Sequence, residues 1–272
     1  MIVHADSSDT PATAVAFVST PTRARKVALS GLPRSKGAQV FQALDWLGQV
    51  TGPVLIADTD TRDPDPAAYR ALLDHTADGC AIADYPRYWG EANLTNHLAR
   101  PLIDAAFGID VPQPLAGDLA LACGTVTVLP AARRALTAPE AAAVDGYGID
   151  AFLLLAAART GTVTPVAFDA PKQHGASFPH LATIYDQAVP VLLALASARP
   201  APPPVHRPNP RGGRRAGRRQ GLAYDLDPAR FAGHENGLGG AAAGRRARQA
   251  ARPTIVSAPG RAAALGPGCA AA

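Results

Sequence analysis

Residues 1–198 alternate short β-type apolar runs with longer helical patterns, and this rhythm constrains the fold more than any other feature. "MIVHA", "KVALSG", "PVLIAD", "GCAIADYP", "DLALACGTVTVLP" and "GTVTPVAFD" read as strands. Between them lie helical patterns. "KGAQVFQALDWLGQV" carries Val40, Leu44, Leu47 and Val50 at helical spacing. "TPATAVAFVST" has Thr10 and Pro11 placed to start a helix, and "DPAAYRALLDH", "GIDAFLLLAAART" and "FPHLATIYDQAVPVLLALASA" are helical too. "LTNHLARPLIDAAFG" predicts a helix bent near Pro101 and closed by Gly108. Such alternation predicts an α/β fold, a mostly parallel sheet sandwiched by helices. "PVLIAD" is apolar throughout, as a strand covered on both faces should be.

The chain divides in two by charge. From Arg199 onward 13 Arg face only Asp225, Asp227 and Glu235, a balance of +10, so residues 1–198 carry −6 of the overall +4. The segment 199–272 is built from Ala, Arg, Gly and Pro, and too few large apolar residues are present to offset the entropy of ordering it. It is expected to be a disordered tail. Its arginines would attract phosphate, but Tyr224 and Phe231 are its only aromatics, so nucleic-acid binding is not expected. Cys80, Cys123 and Cys269 form no Cys-x-x-Cys pair, which argues against a zinc knuckle. No run of 18 or more apolar residues occurs, and the expectation is a cytoplasmic protein without a membrane span.

The chemistry concentrates at the expected carboxyl ends of strands, where open α/β sheets bind ligands. "GPVLIADTDTRDPDP" ends a buried-type strand in Asp58 and Asp60, spaced to share a hard cation or, equally, to make a polar turn. Asp6 and Asp9 follow the first strand, as helix caps or nucleotide contacts. Lys36 and Gly37 open a helix, where the amide dipole favours an anion. Gly117 and Asp118 precede a strand, Asp150 starts a helix, and Lys172, His174 and His180 follow the last strand. Arg87 and Arg100 are candidates for an acidic acceptor, with surface ion pairing the simpler reading.

Taken in order, "IVHADSSDTPATA", "SKGAQ", "VLIADTDTR", "NLTNHLARPLIDAAFG", "QPLAGD", "YGIDAFLLLAA" and "KQH" resemble the nucleotide-sugar transferases of the GT-A fold. The likeness is to the family 2-like branch with mannosylglycerate and glucosyl-phosphoglycerate synthases, and covers roughly residues 1–195. It implies a GT-A-like, Rossmann-like domain at residues 1–198. The implied activity is hexosyl transfer from a nucleotide-diphosphate sugar to a small acceptor, with Mg²⁺ or Mn²⁺ as cofactor. Asp58, Asp60 and His174 would hold the metal, and Asp6, Lys36, Gly37, Asp58 and Gly117 would contact the donor. Asp150 would serve as general base or acceptor contact, and Asp118, in the loop with Gly117 under the sugar and acceptor, would be a second catalytic residue. Such enzymes start with a further strand and a Pro-x-x-Asn-Glu-like loop. Met1 falls where their second strand begins, so a missing central strand and an inactive truncated product are expected as one alternative. A nucleotidyltransferase of similar fold is another.

Overall fold

Val54, Leu55, Ile56 and Ala57 are all buried, and so is every residue from Cys80 to Asp84. Strands without an exposed face require cover on both sides, and the computed structural model supplies it. It describes residues 1–87, 92–175 and 180–197, together with the backbone strand 253–257. The strands are β1 (Ile2–Ala5), β2 (Lys26–Leu29), β3 (Val54–Asp58), β4 (Cys80–Asp84), β5 (Leu119–Leu121), β6 (Val163–Ala167) and β7 (Pro253–Ser257). The helices are α1 (Ala12–Ser19), α2 (Lys36–Leu47), α3 (Pro66–Asp74), α4 (Arg100–Phe107), α5 (Cys123–Arg134), α6 (Ala138–Asp145), α7 (Ile149–Thr160) and α8 (Leu181–Ser197).

One seven-stranded sheet runs β2-β1-β7-β3-β5-β4-β6. β1 pairs with β2, and β4 with β6, in parallel; β5 and β7 pair antiparallel with both of their neighbours. Five strands therefore point one way and two the other, and the sheet is mixed rather than mostly parallel. α3 packs against β3, β4 and β6, while α7 packs against β4 and β6 with α5 and α8 behind it. α7 is the central core helix: Ile149 and Ala151 to Ala157 are buried. Each fully buried Leu or Phe there contributes about 1.5–3 kcal/mol.

Local chemistry accounts for most boundaries. The Asp65 carboxylate accepts from Ala67 N at 2.8 Å with Pro66 in the first turn, so α3 starts there. Lys26 Nζ closes α1 by donating to Phe17 O at 2.8 Å. Ahead of α4, Thr95–Ala99 widens into a π-helical turn. Pro101 has no N–H to donate back into that turn, and Gly108 ends the helix with φ +63°. The bend near Pro101 and the Gly108 stop are as expected.

Two stretches depart from expectation. "DLALACGTVTVLP" is strand only over Leu119–Leu121, and Cys123 onward is helix α5. Thr125, Val126 and Leu129 face the core at helical spacing, and Thr125 Oγ1 donates to Gly79 O at 2.9 Å. Tertiary packing thus overrides the β propensity of Thr-Val-Thr-Val. The second departure is β7. The tail expectation for 199–272 lies outside the described residues except at Pro253–Ser257, which is a central strand. It occupies the place between β1 and β3 where a strand was expected to be missing.

Among the described residues, no single helix is long and apolar enough to cross a membrane.

Candidate active site

The carboxyl ends of β3 and β6, the loop before β5 and the first turns of α2 and α7 bring five charged side chains together. Lys172 Nζ lies 2.8 Å from Asp58 Oδ2 and 2.8 Å from Asp118 Oδ2. Lys36 Nζ lies 3.0 Å from Asp58 Oδ1 and 2.9 Å from Asp150 Oδ2. Asp58 is thus held from both sides, and three carboxylates face two ammonium groups. The Lys172 side chain is 2% exposed and Asp118 is fully buried, so these are interior ion pairs and not surface ones.

Asp118 ties the network to the fold. Its Oδ1 accepts from Asp58 N at 2.9 Å, and its Oδ2 accepts from the Tyr85 hydroxyl. The Tyr85 ring packs edge-on to Phe168 with 4.6 Å between centroids, and Lys172 lies over it at 5.7 Å. Gly117 has φ +78°, and a Cβ there would stand 2.4 Å from Asp58 Oδ2. Only glycine lets the 116–118 turn come this close to the carboxylate.

The electrostatics follow from this geometry. Burial by itself would raise the Asp58 carboxyl, but the ammonium groups of Lys172 and Lys36 prevail and hold it well below the usual carboxylate range. Burial pulls the two lysines toward neutrality, yet Asp150 and Asp58 keep Lys36 above its ordinary value, and Asp58 and Asp118 do the same for Lys172. Asp150 is pushed up, first by burial and next against the pull of Lys36, with repulsion from Asp58 adding to the rise. Burial, then Asp118, raises the Tyr85 hydroxyl.

Asp60 stands at the edge of this cluster. Its Oδ2 accepts from Gly175 N at 3.1 Å, and Arg62 N donates to Gln173 O at 2.7 Å. These bonds hold the 60–62 and 173–175 loops side by side, so His174 arrives next to Asp60 across the sequence. His174 Nδ1 lies 2.7 Å from Gly175 O and donates to that carbonyl, which leaves Nε2 as the ring nitrogen available to another partner. These adjoining loops thus offer one carboxylate, Asp60, and one imidazole, His174, both of types that bind divalent cations. Asp58 instead spends both oxygens on lysines. Among the described residues, no three His, Cys, Asp or Glu side chains converge as a ready metal cage.

The other sequence candidates sit as follows. Gly37 serves packing: a Cβ would meet Val144 O at 1.9 Å, and Ser35 Oγ donates to Asp145 O alongside it. Asp6 ends β1, 2% exposed, and accepts from Ser8 N at 2.7 Å. Asp9 pairs with Arg34, and Arg100 with Asp110 at 2.7 Å, both exposed. Arg87 lies 6.0 Å from the Tyr85 ring.

Sequence reasoning passed over Tyr85, Tyr69 and Tyr147. Tyr147, half-buried, has its hydroxyl raised by burial and influenced by Lys36, Asp58, Asp150 and Asp60. Its backbone N donates to Gln187 Oε1 at 2.8 Å, which ties the turn before α7 to α8. Beside Lys172, a cavity of about 80 Å³ opens between the 61–65 and 168–173 loops, with Tyr69, Tyr85 and Phe168 in its wall.

Comparison with solved structures identifies the architecture. Glucosyl-3-phosphoglycerate synthase from Mycobacterium tuberculosis, in complex with Mn²⁺, UDP and phosphoglyceric acid, superposes with TM-score 0.51 at 21% identity. The match covers 73% of this chain and 68% of that one. The fold is GT-A-like. The same synthase with Mn²⁺, UDP-glucose and phosphoglyceric acid gives TM-score 0.50 at 18% identity, over 72% and 68% of the two chains. Mannosyl-3-phosphoglycerate synthase from Rubrobacter xylanophilus gives 0.43 at 20% identity, over 80% and 63%. No protein-family model and no curated protein sequence matches the chain. In the GT-A-like frame, the carboxylates and lysines described above gather at the carboxyl end of the central strand β3.

Proposed function

We propose that the protein is a metal-dependent glycosyltransferase acting in the cytoplasm, moving a sugar from a nucleotide-diphosphate sugar to a small acceptor. The observation that carries this reading is Asp60, held to Gly175 N on the loop that bears His174, beside the buried Lys36–Asp58–Lys172–Asp118 network in a GT-A-like frame. Support also comes from the similar synthase, whose structures hold Mn²⁺ with UDP or UDP-glucose and phosphoglyceric acid.

Asp60 and His174 are the residues that would hold Mg²⁺ or Mn²⁺. When bound, the cation would neutralise charge on the departing diphosphate. Asp58 fixes the two lysines and, through Asp118, the end of β3. Asp118 is fully buried and bonded to Asp58 N, Tyr85 and Lys172, so it acts as a positioning residue. Asp150 sits at the start of α7 with its carboxyl raised, so it can take the proton of an acceptor hydroxyl with Lys36 as its counter-charge. Gly117 and Tyr147 shape the floor around them.

Isothermal calorimetry of the full chain with UDP and with GDP, each with Mn²⁺, tests the donor site. Hydrolysis of the matching nucleotide-sugar tests the reaction. Binding that depends on Mn²⁺ and is lost in Asp60→Ala is expected. A second reading, a non-catalytic relative, is favoured by one observation: both oxygens of Asp58 are already neutralised by lysines. Absence of nucleotide binding in the presence of Mn²⁺ would select it.

A further inference from the structure

β7 is the keystone of the sheet. Ile2, Val3 and His4 pair with Val256, Ile255 and Thr254 on one side; Val54 to Asp58 pair with Ser257 to Pro253 on the other. Without it the sheet falls into β2–β1 and β3–β5–β4–β6. The backbone groups that β1 and β3 turn toward each other would then lose their partners in the core, at a cost that folded proteins avoid. Yet β7 is remote in sequence: residues 198–252 separate it from α8. Its two partners, β1 and β3, lie about 200–250 positions earlier, so no tight turn ties it to either. Thr254, Ile255 and Val256 are also the only adjacent β-branched residues in the otherwise Ala-, Arg-, Gly- and Pro-rich stretch from residue 199.

The ladder stops at the candidate site. Asp58 stands opposite Pro253, which has no N–H to offer. Asp58 O accepts from Thr61 Oγ1 at 3.1 Å instead, and Asp58 N donates to Asp118 Oδ1 at 2.9 Å. The strand that closes the sheet thus ends where the lysine–carboxylate network begins.

We infer that Pro253–Ser257 is a detachable donor strand, and that the slot between β1 and β3 takes this strand from its own chain or, by exchange, from a second copy. The pairing is the same in both arrangements, so only chain entropy separates them. Fully extended, the connecting residues reach more than about 150 Å, far enough for a neighbouring molecule's slot. The strand's own effective concentration at its slot is about millimolar at most. Closed monomers are therefore favoured in dilute solution, and exchanged dimers after refolding at high concentration.

A cysteine pair in the full chain tests this. Val3 and Ile255 are registered partners, so Val3→Cys with Ile255→Cys can join in a disulfide. Non-reducing gels should show most of the dilute protein cross-linked within monomers. Refolding at high concentration should give covalent dimers, and the single variants should give neither product. No cross-link in folded double variant would overturn the assignment; monomeric cross-links at every concentration would overturn the exchange. As a second measurement, Ile255→Pro in the full chain should lower the melting temperature by about 10 °C. A synthetic peptide spanning 251–259 should bind that variant and restore much of the loss. Failure to bind, with the variant still folded, would also overturn the proposal.

Discussion

Gly117 lies against Asp58 so closely that a Cβ on the glycine would come within 2.4 Å of Asp58 Oδ2. The contact is doubly demanding, because φ at Gly117 is +78°. Gly117→Ala should destabilise the protein by about 2–4 kcal/mol, combining left-handed strain with displacement of a buried carboxylate. Gly108 has φ +63° but open space around it, so Gly108→Ala should cost only about 1 kcal/mol. Urea unfolding of the two variants separates the conformational part from the collision. Equal losses would show that Asp58 moves aside freely.

Lys172 answers two carboxylates at once, and its removal should be severe. Lys172→Met leaves Asp58 and Asp118 short of their shared counter-charge and should cost about 3–5 kcal/mol. Adding Asp58→Asn to that variant should recover part of the loss, since one uncompensated charge is then gone. A double-mutant cycle by denaturant unfolding measures the coupling. Additive losses would mean that the two groups do not interact.

Acid should weaken the protein through Asp58. Its folded pKa lies below the unfolded value of about 4, so its contribution is complete above that pH and is lost as pH falls further. Asp150 has the opposite sign: its folded pKa is raised, so its contribution declines as pH rises above about 4. The raised lysines hold their contribution below about pH 10 and lose it only on further titration. Urea midpoints measured from pH 3 to 8 should therefore drop steeply below about pH 4, and Asp58→Asn should flatten that drop. An unchanged slope in the variant would assign acid sensitivity elsewhere.

Asp150→Asn keeps the shape of the side chain and removes the proton acceptor. The turnover rate should fall about 10²–10⁴-fold while nucleotide affinity stays within a few-fold. The pH dependence of the rate should lose its acidic limb as well. A variant with unaltered turnover would leave Asp150 a counter-ion for Lys36 and nothing more.

Cys80 should be chemically silent in the native protein. It is fully buried, and burial pushes its thiol up to about 12. Labelling with a maleimide at pH 8, mapped by peptide mass, should reach Cys80 only after unfolding. Labelling of the folded chain would reveal opening of β4.

Much of the architecture was legible in residues with a single strong reason to be where they are. Asp65-Pro66 announced α3, Gly108 ended α4, and the unbroken apolar run at Val54 announced a strand covered on both faces. The helix α6 went unread although Thr137-Ala-Pro-Glu140 carries a capping pattern, with Glu140 Oε2 accepting from Thr137 N at 2.8 Å. The strand reading of residues 123–130 failed because β-branched residues satisfy either form and the core decided. At the site, Asp58, Asp60, Asp118, Asp150, Lys36 and His174 were visible as polar residues at element ends. Their pairings were not, since Lys172 reaches Asp58 across 114 positions and no local pattern encodes that partnership. Tyr85 and Tyr147 looked like ordinary aromatics because their role depends on which charges the fold sets beside their hydroxyls.

The position of β7 in the chain has a consequence for biosynthesis. β1 leaves the ribosome about 250 residues ahead of the strand that pairs with it. At about 5–20 residues per second, the two halves of the sheet wait tens of seconds with open edges. Those edges are templates for wrong pairing until β7 emerges to cover them. The central sheet closes only once β7 has been made, so the domain completes its folding then rather than in step with the ribosome.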